Sequence, residues 1–238
     1  MKTLRNIILS AAVLIASIGL TAAKSLDKGN GNITTETRTT EAFSKIEASS
    51  GVKVFISQSD SYKVEVSTDS NLQVKVKVEV KDGVLHLSLN GRASKFTSLR
   101  INVSFKELKA LSVSSGSNVK SESELALGHF KVEASSGSVV NLILNSTFTE
   151  NYASSGSNID LSGKTNVLLV EASSGANVTC KTLESAYGKI AASSGANIKV
   201  FIVEAGEFNA SSGGNIGYKS GLKEITTHKS SGGNVYNF

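Results

Sequence analysis

Eight copies of Ser-Ser-Gly punctuate this 238-residue chain, and seven of them recur at a nearly fixed interval. Their glycines are Gly51, Gly116, Gly137, Gly156, Gly175, Gly195, Gly213 and Gly232. From Gly116 onward the steps are 21, 19, 19, 20, 18 and 19 residues. A period this regular requires one structural unit stacked on itself, so the repeat decides the architecture before local propensities are weighed.

Aligning the copies on the glycine separates two sides of the chain. Five residues before it stand Leu111, Val132, Val170, Ile190 and Phe208, with Asn151 and Thr227 as exceptions. Three before stand Val113 and then alanine in five successive copies, until Lys229 breaks the run. Three after stand Val119, Val140, Ile159, Val178, Ile198, Ile216 and Val235, and five after stand Leu142, Leu161, Cys180 and Val200. All these offsets are odd, and side chains of an extended chain alternate with period 2, so they share one face. Each repeat therefore reads as strand, tight corner, strand, with that face turned inward. Glycine supplies the positive φ of the corner. Two residues after it, asparagine recurs at Asn118, Asn158, Asn177, Asn197, Asn215 and Asn234, where stacked amides can form a ladder from coil to coil.

A coil of ~19 residues at about 3.3 Å per residue has a contour near 60 Å, enough for two or three short strands and their corners. A propeller blade needs about 40 residues, twice the observed period. The expected fold is all-β: a single-stranded parallel β-helix, a right-handed solenoid with coils of about 19 residues. Within a β-helix domain at 41–238, the regular coils occupy 111–238 and an irregular part with hairpins occupies 41–110. Strands are expected over 44–48, 52–57, 62–67, 74–80, 84–89 and 99–104. Asp82-Gly83 and Asn90-Gly91 read as hairpin turns.

The beginning of the chain carries an export signature. Lys2 and Arg5 precede an uncharged apolar run from Ile7 to Leu20, and Thr21-Ala22-Ala23 is a small-x-small exit. Residues 1–23 are expected to be a signal peptide cleaved after Ala23, because the run is shorter than the ~20 residues that span a bilayer. Residues 24–40, rich in Gly, Asn and Thr, read as a flexible leader. Without the signal, 23 basic residues face 20 acidic ones, a net +3 too mild for a nucleic-acid partner. The single cysteine, Cys180, cannot form an intrachain disulfide, so the fold stands without covalent staples. No second apolar run is long enough to span a membrane.

Two stretches carry a family resemblance. Residues 43–54, Phe43-Ser44-Lys45-Ile46-Glu47-Ala48-Ser49-Ser50-Gly51-Val52-Lys53-Val54, resemble the opening of the auto-transporter adhesin head GIN domain. Residues 108–119, from Leu108 through Ser114-Ser115-Gly116 to Val119, resemble that family's central signature. The resemblance spans roughly 41–238. It implies an exported β-helical protein of Bacteroidetes-type bacteria with an adhesive role and no catalytic motif. The chain departs from many members in lacking a proline before the central signature and a lipid-attachment cysteine.

The residues themselves point away from catalysis. β-Helical lyases and hydrolases cluster carboxylates for calcium or acid–base work. Here acids are scattered, and Asp160 is the only aspartate after residue 110. A nucleophilic serine needs an adjacent base, and His86, His129 and His228 follow no pattern that supplies one to eight equivalent corners. Cys180 falls on an inward row and reads as an apolar filler. The terminal Tyr236-Asn237-Phe238 has the aromatic alternation of outer-membrane barrel ends, but lipid-facing strands of about 10 residues are lacking elsewhere. No catalytic, cofactor or metal residues are therefore expected. The expected function is a non-catalytic, exported adhesin or envelope binding or scaffold module located in the periplasm, on the outer surface or secreted. Its partner would be a glycan, a matrix protein or an envelope protein. The alternative is a carbohydrate-active enzyme, a polysaccharide lyase or hydrolase, on the same scaffold. A structural spacer that assembles through its ends is a third reading.

Overall fold

The computed structural model describes residues 27–91, 95–219 and 221–238. The expected signal peptide lies outside them. Seven strands form the first part: β1 (Ile33–Arg38), β2 (Lys45–Ala48), β3 (Lys53–Gln58), β4 (Lys63–Asp69), β5 (Val76–Lys81), β6 (Val84–Leu89) and β7 (Leu99–Phe105). Nine follow: β8 (Ala110–Val113), β9 (Asn118–Ala134), β10 (Val139–Ala153), β11 (Asn158–Ala172), β12 (Asn177–Ala192), β13 (Asn197–Ala210), β14 (Asn215–Tyr218), β15 (Glu224–Lys229) and β16 (Asn234–Asn237). From β8 onward every pairing is parallel. The expected β-solenoid is the observed fold.

The rungs stack in the register set by the turns. Val140 pairs with Val119 and Ile159, and Ala153 with Ala134 and Ala172. The odd-offset side chains are therefore stacked columns, and they are buried. Phe105, Phe130 and Phe208 are the largest fully buried side chains of a single apolar core that includes Cys180. Parallel stacking brings like residue over like residue, and the period-2 alternation keeps each column on its own side.

The corner has more structure than a lone flexible glycine. In all eight copies the second serine also has positive φ, as in Ser115 at 52° beside Gly116 at 70°. Two successive central residues with positive φ make a type I′ turn. It closes through the amide of the next residue, Ser117 donating to the Ser114 carbonyl at 3.1 Å. The turn glycine then donates across coils to the second serine's carbonyl: Gly116 to Ser136 at 3.0 Å, Gly156 to Ser174 at 3.1 Å. The residue after the glycine is small, Ser138, Ser157, Ala176, Ala196 or Gly214, because it faces the backbone of a neighbouring coil. Ser138 and Ser157 use their hydroxyls there, donating to the Val113 and Ala134 carbonyls at 2.9 Å. At Gly214 a Cβ would stand 2.4 Å from the Ala192 carbonyl oxygen. The asparagine ladder forms over four coils. Asn177 donates to Asn158, Asn197 to Asn177, and Asn215 to Asn197, at 3.1–3.2 Å. Val139 separates Asn118 from it.

The unequal steps of the repeat have one origin. Register shifts fall between Asn141 and Ile143, between Asp160 and Ser162, between Cys180 and Glu184, and between Ser185 and Tyr187. Extra residues leave the ladder at the first three just past the inward aliphatic position, and the fourth places one extra residue on β13, so the turns and the strands leading into them stay aligned.

The amino-terminal part closes one end of the solenoid. The first Ser-Ser-Gly rung, β2 and β3, lies between two later segments: β2 pairs with β6 and β8, and β3 with β7 and β9. The chain therefore does not wind as one continuous spiral from its start. Residues 59–109 pass behind the first rung, add β4 antiparallel to β7 and β5 antiparallel to β6, and return ahead of it. Asp82-Gly83 makes the expected β5–β6 hairpin, with positive φ at both residues. Asn90-Gly91 does not, since β6 and β7 do not pair with each other but stack on β2 and β3, the two halves of the first rung. The expected β-strand at 74–80 begins instead with a short 3₁₀ helix, Ser70–Lys75. The leader expected at 24–40 contains β1, six residues with three threonines, antiparallel to β4. The buried Asp69 ties this edge down. Its carboxylate accepts the Gly31 and Thr97 amides at 2.8 Å. Burial pushes its pKa up, but the amides outweigh this and hold it below the usual value.

At the other end, β15 pairs with β13 and all six of its residues are exposed. Lys229 takes the place of the alanine column there.

Candidate functional site

The three residues before each turn build a groove of about 1060 Å³ along the solenoid. The strand ends in an outward residue, an alanine and a serine, and the type I′ turn then projects. Alanine buries its methyl inward, leaving nothing outward between its neighbours. Stacked in register, these gaps join into a channel from the β5–β6 hairpin, through the rungs of Ala134, Ala153, Ala172 and Ala192, to β15. One wall is a serine column from Ser49 to Ser230. The other is the outward column, with Glu47, Glu133, Tyr152, Glu171 and Asn209.

A charged network braces the outer wall. Lys131 Nζ lies 2.6 Å from Glu133 and 4.9 Å from the centroid of the Tyr152 ring. Ser112 donates to Glu133 at 2.9 Å, and the Tyr152 hydroxyl donates to Glu150 at the same distance. His129 also contacts Glu150 and packs edge-on against Phe148, ring centroids 4.7 Å apart. The Lys131 hydrogen bond, helped by Ser112, holds Glu133 below the usual carboxylate range, and raises Lys131 in return. Burial pushes Glu150 up, but the hydrogen bonds of Tyr152 and His129 outweigh it and leave the carboxyl lowered. The bond to Glu150 raises Tyr152, and burial adds to it. At the hairpin end, His86 Nδ1 lies 2.9 Å from Glu47. Glu171 has no ion-pair partner among the described residues.

The structure keeps the residues weighed as chemical candidates apart. His86, His129 and His228 sit on β6, β9 and β15, two of them at opposite ends of the groove. Cys180 is buried, and desolvation pushes its thiol far up. Asp160 is exposed on β11. Among the described residues no group of three or more His, Cys, Asp or Glu could hold a metal ion, and no helix is long and apolar enough to cross a membrane. Tyr236 and Phe238, half-exposed, lie over Gly217 next to β16, which pairs in parallel with β14. The groove itself had a sequence signal, the Ala-Ser-Ser-Gly run. Sequence reasoning took those small residues as room for close coil packing, because the projection of the turn is invisible without its dihedral angles.

A solenoid of similar stacked rungs, with a continuous lateral channel and its polar side chains in columns, is the class this geometry defines. The chain belongs to the family described as putative auto-transporter adhesin, head GIN domain, whose model matches residues 42–221. The fold is similar to crystal structures of a putative adhesin from Bacteroides fragilis (18% identity, TM-score 0.80, covering 89% of this chain and 99% of that one) and a putative adhesin from Parabacteroides distasonis (22%, 0.68, 90% and 100%). It is also similar to that of a putative lipid binding protein from Parabacteroides distasonis (16%, 0.69, 90% and 100%). No curated protein matches the sequence.

Proposed function

We propose that this protein is an exported, non-catalytic binding module that engages an extended surface ligand through the lateral groove. The observation that carries the reading is the repetition itself. An alanine and a serine line each of five successive rungs, Ala134-Ser135 to Ala210-Ser211, so the groove offers repeated weak contacts instead of one reactive cluster. Family membership supports an adhesive, surface-exposed role. The acids support a non-catalytic one. Glu79 and Glu133 in the groove are both held below their usual range by lysines, where a proton donor must be raised. The test is an array of glycans, matrix proteins and lipids probed with the exported protein, with cell fractionation to locate it. Saturable binding is expected for one ligand class. No saturable ligand, or release of new reducing ends from a bound polysaccharide, overturns the reading.

A further inference from the structure

The groove has a period, and the period selects among ligands. Rungs of a sheet are about 4.8 Å apart. A linear chain of β-1,4-linked hexoses advances by close to one such step per sugar, with alternate sugars facing opposite ways. The outward column alternates as well. Glu47, separated from Glu133 by the rung of Ser112, is followed on every second rung by Glu133, Glu171 and Asn209, with Tyr152 and Ala191 between. Acceptors for sugar hydroxyls therefore recur about every 9.6 Å, two rungs and two sugars apart. An extended peptide advances about 3.3 Å per residue with its side chains alternating, so those on its groove side recur about every 6.6 Å and do not match the acceptor spacing.

Charge and surface agree. Among the described residues four glutamates and three lysines line the channel, and no lysine lines it between Glu133 and Asn209, so a polyanion gains nothing there. The serine wall donates and accepts with equal ease, as a hydroxyl-rich ligand requires. Tyr152, fixed by Glu150 and Lys131, is the one phenol ring in the lining among the described residues and can meet the face of a sugar. We infer that the groove takes a linear, uncharged, β-1,4-linked hexose polymer laid along the solenoid axis, one sugar per rung. This rests on the binding role proposed above and names its ligand class.

The test is calorimetric titration of the protein with neutral β-1,4-linked gluco- and manno-oligosaccharides of increasing length. Affinity is expected to climb with each added sugar to about the number of groove rungs and then level off. Glu171→Gln and Tyr152→Ala should each weaken the longest ligand about tenfold, the loss of one good hydrogen bond or ring contact. Ser173→Tyr fills the channel while keeping the backbone bonds of its turn, and should abolish binding with the melting temperature unchanged. Sugar binding that ignores chain length, or that persists in Ser173→Tyr, overturns the inference. So does a ligand array in which only proteins or lipids bind, although the binding role would then stand. An array with no saturable ligand removes both.

Discussion

Asn151 occupies the inward column five residues before the turn glycine, between Val132 and Val170, and is fully buried. Neither its amide nitrogen nor its oxygen has a hydrogen-bond partner among the described residues. An unpaired buried amide costs about 1–3 kcal/mol, and valine fills the same place in both adjoining rungs. Asn151→Val is expected to stabilise the fold by about 1–2 kcal/mol, read as a higher midpoint in urea with an unchanged slope. Gly214 is the opposite case. Its missing Cβ would stand 2.4 Å from the Ala192 oxygen and 2.5 Å from its carbon, both backbone atoms. Gly214→Ala should lower stability by roughly 2–4 kcal/mol, within the range of backbone and overpacking effects, while Ala176→Gly two rungs earlier should cost under about 1 kcal/mol. A third residue-level expectation concerns the second serine. Ser174 sits at φ 52°, which asparagine tolerates better. Ser174→Asn should raise the midpoint slightly, and a fall would show that the hydroxyl has a role the geometry does not reveal.

At the scale of the element, the strands before the turn carry the titrating groups. Glu133 and Glu150 have folded values below their usual 4.5, so the unfolded chain binds more protons through the acid range. Their contribution is present above 4.5 and is lost as pH falls through the lowered folded values. Lys131 is raised, so its contribution holds below 10.5 and disappears as pH climbs past the folded value. Denaturant midpoints should therefore fall off below pH 4.5, and less steeply in the Glu133→Gln, Glu150→Gln double variant. Equal acid sensitivity in both proteins would show that these pairs are too exposed to matter. The strands also show which sequence signals suffice. β6 coincides with its expected span of 84–89, and β2, β3, β4 and β7 differ from theirs by one or two residues, because each is a period-2 run between turn residues. β1 escaped notice because it directly follows the Gly- and Asn-rich residues 29–32, which read as mobile, and its partner β4 lies beyond β2 and β3 in sequence. The 3₁₀ helix at Ser70–Lys75 follows a buried carboxylate whose partners, Gly31 and Thr97, are distant in sequence.

For the whole molecule, the spiral from β8 onward was legible because a fixed anchor and a fixed parity leave one way to stack the coils. The intercalated first rung was not. Parallel partners can be any distance apart in sequence, and nothing in residues 45–58 states that β6 and β7 will lie behind them. The groove was half legible: its alanines and serines stood out, its shape did not. Stacking predicts modular behaviour. Deleting residues 157–175 joins Gly156 to Ala176 and removes one complete coil. The shortened protein should keep the β-sheet circular dichroism and melt cooperatively at a modestly lower temperature. Removing nine residues from the same place reverses the parity of part of a coil, and should give an aggregated or unfolded product. If both deletions behave alike, register does not govern the fold.

The outlooping that absorbs unequal repeat lengths marks Glu122-Ser123 and Lys181 as natural grafting points. These residues lie six or seven positions beyond the turn glycine, on stretches separate from the channel walls. Foreign epitopes spliced there would be carried on the flank of an unaltered rod at intervals fixed by its stacking, which makes this chain a ruler for spacing antigens.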